Sequence, residues 1–199
     1  MSSNFSGVFI LIIGPSGVGK GTVINILRER HPEWIFPISA TTRAPRPGET
    51  AGKTYHFLTG EEFEKRKKNG EFLESAWVHG KNQYGVLKSE VIPFLEQGKV
   101  ILREVDVQGF LEIRKVIPAH HLLSLFLLPP SWELLSKRIR SRAPITEEEL
   151  QRRFESMKKE MEIAPECDFE IQTEDGNPLF CTERIEEIVK NWFEKENAS

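Results

Sequence analysis

The chain has 199 residues, 39% hydrophobic and 29% charged, with a formal net charge of −3. This is the makeup of one globular domain with a sizeable core and room for inserted flaps. The charge argues against a general nucleic-acid coat protein or a polybasic membrane binder, and the longest apolar run, Val8–Ile13, is too short to span a bilayer. The first residues show no secretory pattern, and Cys167 and Cys181 have no metal-ligand or redox spacing. The expectation is a cytoplasmic protein with reduced thiols that binds neither nucleic acid nor membrane.

Taken in chain order, Val8–Ile13 is short, continuous and β-branched, and Gly14-Pro15 ends it, which predicts a buried strand. After a glycine-rich turn, Val23, Ile26, Leu27 and Arg30 fall at helical spacing, and Pro32 stops that helix. Residues 39–57 are rich in turn formers, and Tyr55–Leu58 looks extended. Thr59-Gly60-Glu61-Glu62 is a capping box that opens a charged helix to about Asn69. Phe72–Val78 and Tyr84–Leu87 read as strands, Ser89–Gln97 as a helix, Val100–Val105 as a core strand and Gly109–Val116 as a helix ending before Pro118.

Leu122–Leu128 is another continuous apolar strand, closed by Pro129-Pro130. Ser131 caps a helix carrying Leu134, Leu135, Arg138 and Arg142, and Ala143-Pro144 breaks it. Thr146-Glu147-Glu148-Glu149 reads as a second capping box, with Leu150, Phe154, Met157 and Met161 on one face of the helix behind it. Phe169–Gln172 is a short strand, and Ile185, Ile188, Val189 and Trp192 mark the last helix.

Strands that alternate with helices predict an α/β fold, a three-layer core whose parallel sheet is covered on both faces. The stretch 39–87 interrupts the alternation and reads as an inserted flap. Residues 138–159, around the Arg142–Thr146 break, read as a helical lid. The expected organisation is one domain over 1–199, with the core at 1–38, 88–137 and 160–199.

Gly14-Pro15-Ser16-Gly17-Val18-Gly19-Lys20-Gly21-Thr22 follows a strand and opens a helix, the context of a phosphate loop, or P-loop. Glycines let backbone N–H groups curl around phosphate oxygens, and the helix N-terminus adds positive potential. Lys20 supplies a flexible cation for the β- and γ-phosphates. The usual pattern has Ser or Thr directly after the lysine to hold Mg²⁺. Here Gly21 stands there and Thr22 comes next, so the metal is expected to be held mostly by phosphate oxygens and water.

Beyond this loop the chain resembles the guanylate kinases over essentially its whole length. Ser39-Ala40-Thr41-Thr42-Arg43-Ala44-Pro45-Arg46-Pro47-Gly48-Glu49 is similar to that family's S-x-T-T-R-x-x-R-x-G-E segment, and Gly52-Lys53, Tyr55 and Phe57 follow at the family's spacing. The resemblance implies that Arg43, Arg46, Tyr55 and Tyr84 grip the phosphate of GMP, and arginine suits planar, bidentate contact with phosphate. It implies that Glu74 reads guanine, whose adjacent N1–H and N2–H₂ donors match one carboxylate, and that the Ser39 hydroxyl contacts the base. Glu104-Val105-Asp106-Val107-Gln108-Gly109 resembles the family's [ED]-x-D-x-Q-G. Glu104 is then expected to reach toward the guanosine and Asp106 to order Mg²⁺ through water. Arg138, Arg142 and Arg153 match lid arginines that close over ATP and neutralise the transferring phosphoryl group, while Arg140 and Arg152 match nothing and are expected in solvent.

Three departures stand out. Tyr84-Gly85-Val86 replaces Tyr-Gly-Ser or Tyr-Gly-Thr, whose hydroxyl meets guanine O6. Arg103 occupies a position that is usually apolar and is expected to pair with a neighbouring acid. Thr173 stands where the family often has Asn near the adenine or ribose, a role left open between Gln172 and Thr173. The resemblance implies an ATP-dependent kinase that converts GMP, and dGMP, to GDP, with Mg²⁺ as cofactor and a monomeric or weakly homo-oligomeric state. The alternatives are a kinase for another nucleoside monophosphate or a sugar phosphate, and a non-catalytic guanylate-kinase-like binding module. The retained loop and lid arginines weigh against the last.

Overall fold

The computed structural model describes residues 5–78, 81–142 and 145–196. The fold is mixed α/β. Its strands are β1 (Val8–Ile13), β2 (Ala40–Thr41), β3 (His56–Phe57), β4 (Phe72–Val78), β5 (Asn82–Leu87), β6 (Val100–Glu104), β7 (Leu122–Leu128) and β8 (Phe169–Gln172). Its helices are α1 (Lys20–Arg30), α2 (Gly60–Lys68), α3 (Ile92–Glu96), α4 (Val107–Ile113), α5 (Trp132–Arg142), α6 (Glu147–Met161) and α7 (Pro178–Glu196). The strands form two four-stranded sheets, ordered β6-β1-β7-β8 and β3-β2-β5-β4. Every residue of β1 is buried, as its unbroken apolar run requires of a strand covered on both faces.

The described residues of Met1–Leu11 and Glu33–Leu123 form one compact unit, and those of Ile12–Pro32 and Ser124–Ser199 a second. In the first, β2 pairs in parallel with β3 and antiparallel with β5, and β5 pairs antiparallel with β4. One face of this sheet packs on α2 through Ala40, Phe63 and Leu87, with Leu58 and Phe72 alongside. The other face carries Glu74 opposite Val86, and Ala76 opposite Tyr84. Helix α2 begins as its capping box dictates: Thr59 Oγ1 accepts the N–H of Glu62, and the Glu62 carboxylate accepts the N–H of Thr59.

In the second unit β7 and β8 pair in parallel, Leu125 with Phe169 through Leu128 with Gln172. The Asp168 carboxylate fastens the start of β8 by accepting from the backbone N–H and the hydroxyl of Ser124, at 2.8 and 2.6 Å. Helices α1 and α7 are tied by Glu186, which pairs with Arg30 at 3.0 Å and His31 at 2.8 Å. Leu135, Ile139 and Leu150 bury the contact between α5 and α6, with Trp132, Ile145 and Met157 around them.

Three local expectations are corrected. The helix read over Ser89–Gln97 is two pieces, a 3₁₀ turn at Lys88–Glu90 and then α3, because Val91 (φ −128°, ψ −55°) leaves helical geometry. The helix read over Gly109–Val116 runs from Val107 to Ile113: the Asp106 carboxylate accepts the N–H of Gly109 at 2.7 Å, so Asp106 is its N-cap. Thr146 caps α6 by accepting the N–H of Glu149, but the reciprocal half of the box is not made. The Glu149 carboxylate turns instead to Arg152 at 2.8 Å and Arg153 at 3.3 Å.

Candidate active site

The glycine loop lies wholly in the second unit, between β1 and α1. Gly14, Gly17 and Gly19 have φ of 141°, 87° and 115°, a region that side-chain-bearing residues rarely adopt. A Cβ on Gly14 would lie 2.6 Å from the Leu127 carbonyl oxygen, whereas one on Gly19 would meet nothing within 4 Å. The loop is thus pressed against β7 at one end and open at the other. Lys20 Nζ donates to the Gly14 and Pro15 carbonyls at 2.6 and 3.2 Å, so the lysine folds back over its own loop. Pro15 and Val18 are buried, while Ser16, Gly21 and Thr22 are exposed.

Around this loop α5 and α6 bring two of the expected lid arginines. Arg138 donates to the Val18 carbonyl at 3.3 Å and pairs with Asp175 at 2.6 Å. Arg153 donates to Ser16 Oγ at 3.2 Å while its Nε bonds Glu149. The Arg142 side chain lies outside the described ones. Arg140 and Arg152 are engaged with Glu147 and Glu149 on the surface, so their expected freedom in solvent is qualified by these pairs.

A cavity of about 260 Å³ opens beside the loop, lined by Gly17–Gly19, Thr22, Arg138, Ser141 and the turn Thr173–Pro178. Thr173 is buried on its wall, with N–H and Oγ1 both donating to the Leu128 carbonyl at 2.9 and 2.8 Å. Gln172 directs its amide to Pro129 O at 2.9 Å and does not line the cavity. Asp175 and the other residues of this turn after Thr173 were missed from sequence. The available signal was a polar, glycine-containing turn directly after the short strand β8, where open α/β sheets place ligands.

The first unit holds the remaining expected residues in two groups. In one, Arg43 donates to Tyr84 Oη at 3.1 Å and pairs with Glu49 at 2.7 Å, and its guanidinium carbon lies 5.4 Å from the Tyr55 ring centre. Glu49 also accepts the Arg46 N–H at 2.7 Å, closing the turn, and the Arg46 side chain is exposed. The hydrogen bonds from Arg43 and from the Arg46 backbone hold the Glu49 carboxyl below its usual range, and Glu49 and Tyr84 push Arg43 higher. The brace role of Glu49 was not read from sequence. Its signal was its place as the closing acid of the Ser39–Glu49 segment, six residues after Arg43.

In the other group, Glu74 sits on β4 with its side chain 11% exposed, and Arg103 Nη2 approaches its carboxylate at 3.7 Å. The same Nη2 donates to Ser39 Oγ at 3.0 Å, and Nη1 donates to the Pro37 carbonyl at 3.3 Å. Burial raises the Glu74 carboxyl above its usual range, against the pull of the Arg103 charge. Arg103 thus has the acidic partner that its sequence position demanded. Val86, opposite Glu74, is fully buried. Glu104 is exposed at the end of β6. The Asp106 carboxylate uses one oxygen to cap α4, leaving the other for a ligand. This donor set suits a metal ion that arrives with most of its oxygens already supplied by phosphate and water.

A glycine-rich loop between a buried strand and a helix, with a parallel β7–β8 pair beside it, defines an α/β protein of the phosphate-loop class. A guanylate kinase family model matches residues 7–191. The chain is 45% identical over 170 residues to a guanylate kinase of Trichormus variabilis, covering 85% of this chain and 84% of the relative. It is 43% identical to one of Clostridium perfringens strain SM101, covering 94% and 84%. In structure it resembles the guanylate kinase of Anaplasma phagocytophilum, with TM-score 0.72, 31% identity and coverage of 94% and 87%. The chain belongs to the guanylate kinase family.

Proposed function

We propose that the chain catalyses transfer of the γ-phosphoryl group of ATP to GMP, and to dGMP, forming ADP and GDP in purine nucleotide recycling. The observation that carries the choice of acceptor is the buried Glu74 carboxylate on the same sheet as the Arg43–Tyr55–Tyr84 cluster. A carboxylate matches the paired N1–H and N2–H₂ donors of guanine, and adenine has no such pair. Arg43, Arg46, Tyr55 and Tyr84 bind the monophosphate, and Ser39, Glu74, Val86 and Glu104 surround the guanosine.

An oxygen of the GMP phosphate attacks the γ-phosphorus of ATP. The bond from that phosphorus to the β-phosphate bridging oxygen breaks, and its electron pair leaves with ADP. The attacking oxygen is already largely ionised at neutral pH, so no side chain need remove a proton, and the protein's part is alignment and charge neutralisation. Gly14–Thr22 cradle the triphosphate, with Lys20 leaving the loop carbonyls for the phosphates. Arg138, Arg142 and Arg153 neutralise the group in transit. Asp106, through water, is the side chain that would help hold the Mg²⁺ carried by ATP, an ion that would supply neutralisation of phosphate charge. Residues 39–87 act as the monophosphate flap and 138–159 as the lid. No described helix is long and apolar enough to cross a membrane, and we assign a cytoplasmic setting and a monomer or weak homo-oligomer.

The test is a panel of nucleoside monophosphates with Mg·ATP. GMP and dGMP should be used far better than AMP or UMP, and equal use of all four would reject the guanine reading.

A further inference from the structure

We infer that Arg103 is a specificity-determining residue that donates a hydrogen bond to O6 of the guanine base. The inference rests on the assignment of GMP as acceptor and deepens it. The edge of guanine that offers N1–H and N2–H₂ also carries O6, an acceptor next to N1. A site that satisfies the two donors with Glu74 must present a donor beside that carboxylate, or O6 is left unpaired in a desolvated pocket. The cross-strand neighbour of Glu74 cannot supply it: Val86 has no polar side-chain atom and is fully buried.

A charged donor beside the carboxylate is the Arg103 guanidinium, with Nη2 3.7 Å from Glu74 Oε1. That distance is too long for a good hydrogen bond, so the Glu74 oxygens are left for the base. Arg103 is oriented from behind, through Nη1 to Pro37 O and Nη2 to Ser39 Oγ. Its Nε–H is buried and has no hydrogen-bond partner among the described residues. Ser39 is thereby assigned as the acceptor that orients Arg103, in addition to lining the base site. Recognition then runs through an arginine–carboxylate pair that reads acceptor and donors side by side on one base edge.

The test pairs variants with an acceptor altered at one atom. GMP and 6-thio-GMP differ only in the group at position 6, and sulfur accepts hydrogen bonds weakly. Full-chain wild type, Arg103→Met and Arg103→Lys are assayed with saturating Mg·ATP and either acceptor, and thermal melting checks folding. Wild type should favour GMP over 6-thio-GMP in kcat/KM. Arg103→Met should lower kcat/KM for GMP by roughly 10–100-fold, the scale of a hydrogen bond to a charged group, while 6-thio-GMP changes little, so that the preference collapses. Equal loss on both acceptors, or unchanged preference, would overturn the O6 role and leave Arg103 as a support for Glu74. If Arg103→Met does not fold, Arg103→Lys decides: partial loss of the preference supports the role and full retention overturns it. Failure of the wild type to use GMP at all would instead reject the acceptor assignment.

Discussion

Asp175 holds Arg138 at 2.6 Å on the wall of the cavity beside the glycine loop, so an arginine proposed for the lid is engaged by a carboxylate beside the loop proposed to cradle the triphosphate. The carboxylate is 56% exposed and the guanidinium 26%, and an ion pair this open contributes little to folding, about 0.2–1 kcal/mol. Its consequence is competition. Asp175→Asn should leave the melting temperature nearly unchanged and tighten ATP by up to about fivefold, measured by calorimetric titration of Mg·ATP. Arg138→Ala should remove that gain and lower kcat by about 10³-fold. Weaker ATP binding in Asp175→Asn would mean that the pair positions the arginine for phosphate.

Lys20 donates to carbonyls of its own loop at 2.6 and 3.2 Å. Lys20→Ala should lower kcat by about 10²–10³-fold beyond any effect on stability. Steady-state kinetics beside a thermal melt separates the two effects, and near-normal turnover would remove Lys20 from the transfer.

Two glycines of the same loop should fail in different ways. A Cβ on Gly14 meets the Leu127 carbonyl oxygen at 2.6 Å, with φ at 141°, so Gly14→Ala should destabilise the fold by about 1–3 kcal/mol in urea unfolding. At Gly19 the Cβ meets open space, so Gly19→Ala carries only backbone strain from its φ of 115° and should act mainly on the KM for ATP. Equal unfolding midpoints for the two variants would contradict this.

The raised carboxyl of Glu74 gives GMP binding a pH dependence. Only the ionised form accepts both guanine donors. As pH falls through its raised pKa, the free enzyme takes up a proton and the KM for GMP rises; above that pKa the Glu74 component of the KM is flat. The GMP phosphate also titrates, with pKa near ~6, so the comparison is with Glu74→Gln. That variant should bind GMP poorly at every pH and show only the phosphate component. Profiles of identical shape would place the Glu74 pKa outside the range tested.

Much of the fold was legible because its signals are local. The strand Val8–Ile13, the box at Thr59–Glu62 and the strand Leu122–Leu128 have the bounds their residues predict, since hydrophobic period and capping act within a few positions. Where two local signals competed, sequence reading erred. Gly109 looked like a helix start, but the Asp106 side chain, three residues earlier, captured its N–H and set the start two residues earlier, at Val107. Glu149 was expected back on the Thr146 backbone, but two arginines one turn further on hold its carboxylate.

By itself the sequence determined the Gly14–Thr22 loop, the order of the strands and helices apart from β2, and the family to which the chain belongs, because each rests on residues adjacent along the chain. Tertiary structure alone decided which charges meet. Arg103 finds Ser39, 64 positions away, and Arg138 finds Asp175, 37 positions away. No period or motif encodes such pairs. A buried guanidinium or carboxylate takes the partner that folding carries to it, and that partner settles whether a residue marked by its type is free to meet a ligand or already engaged.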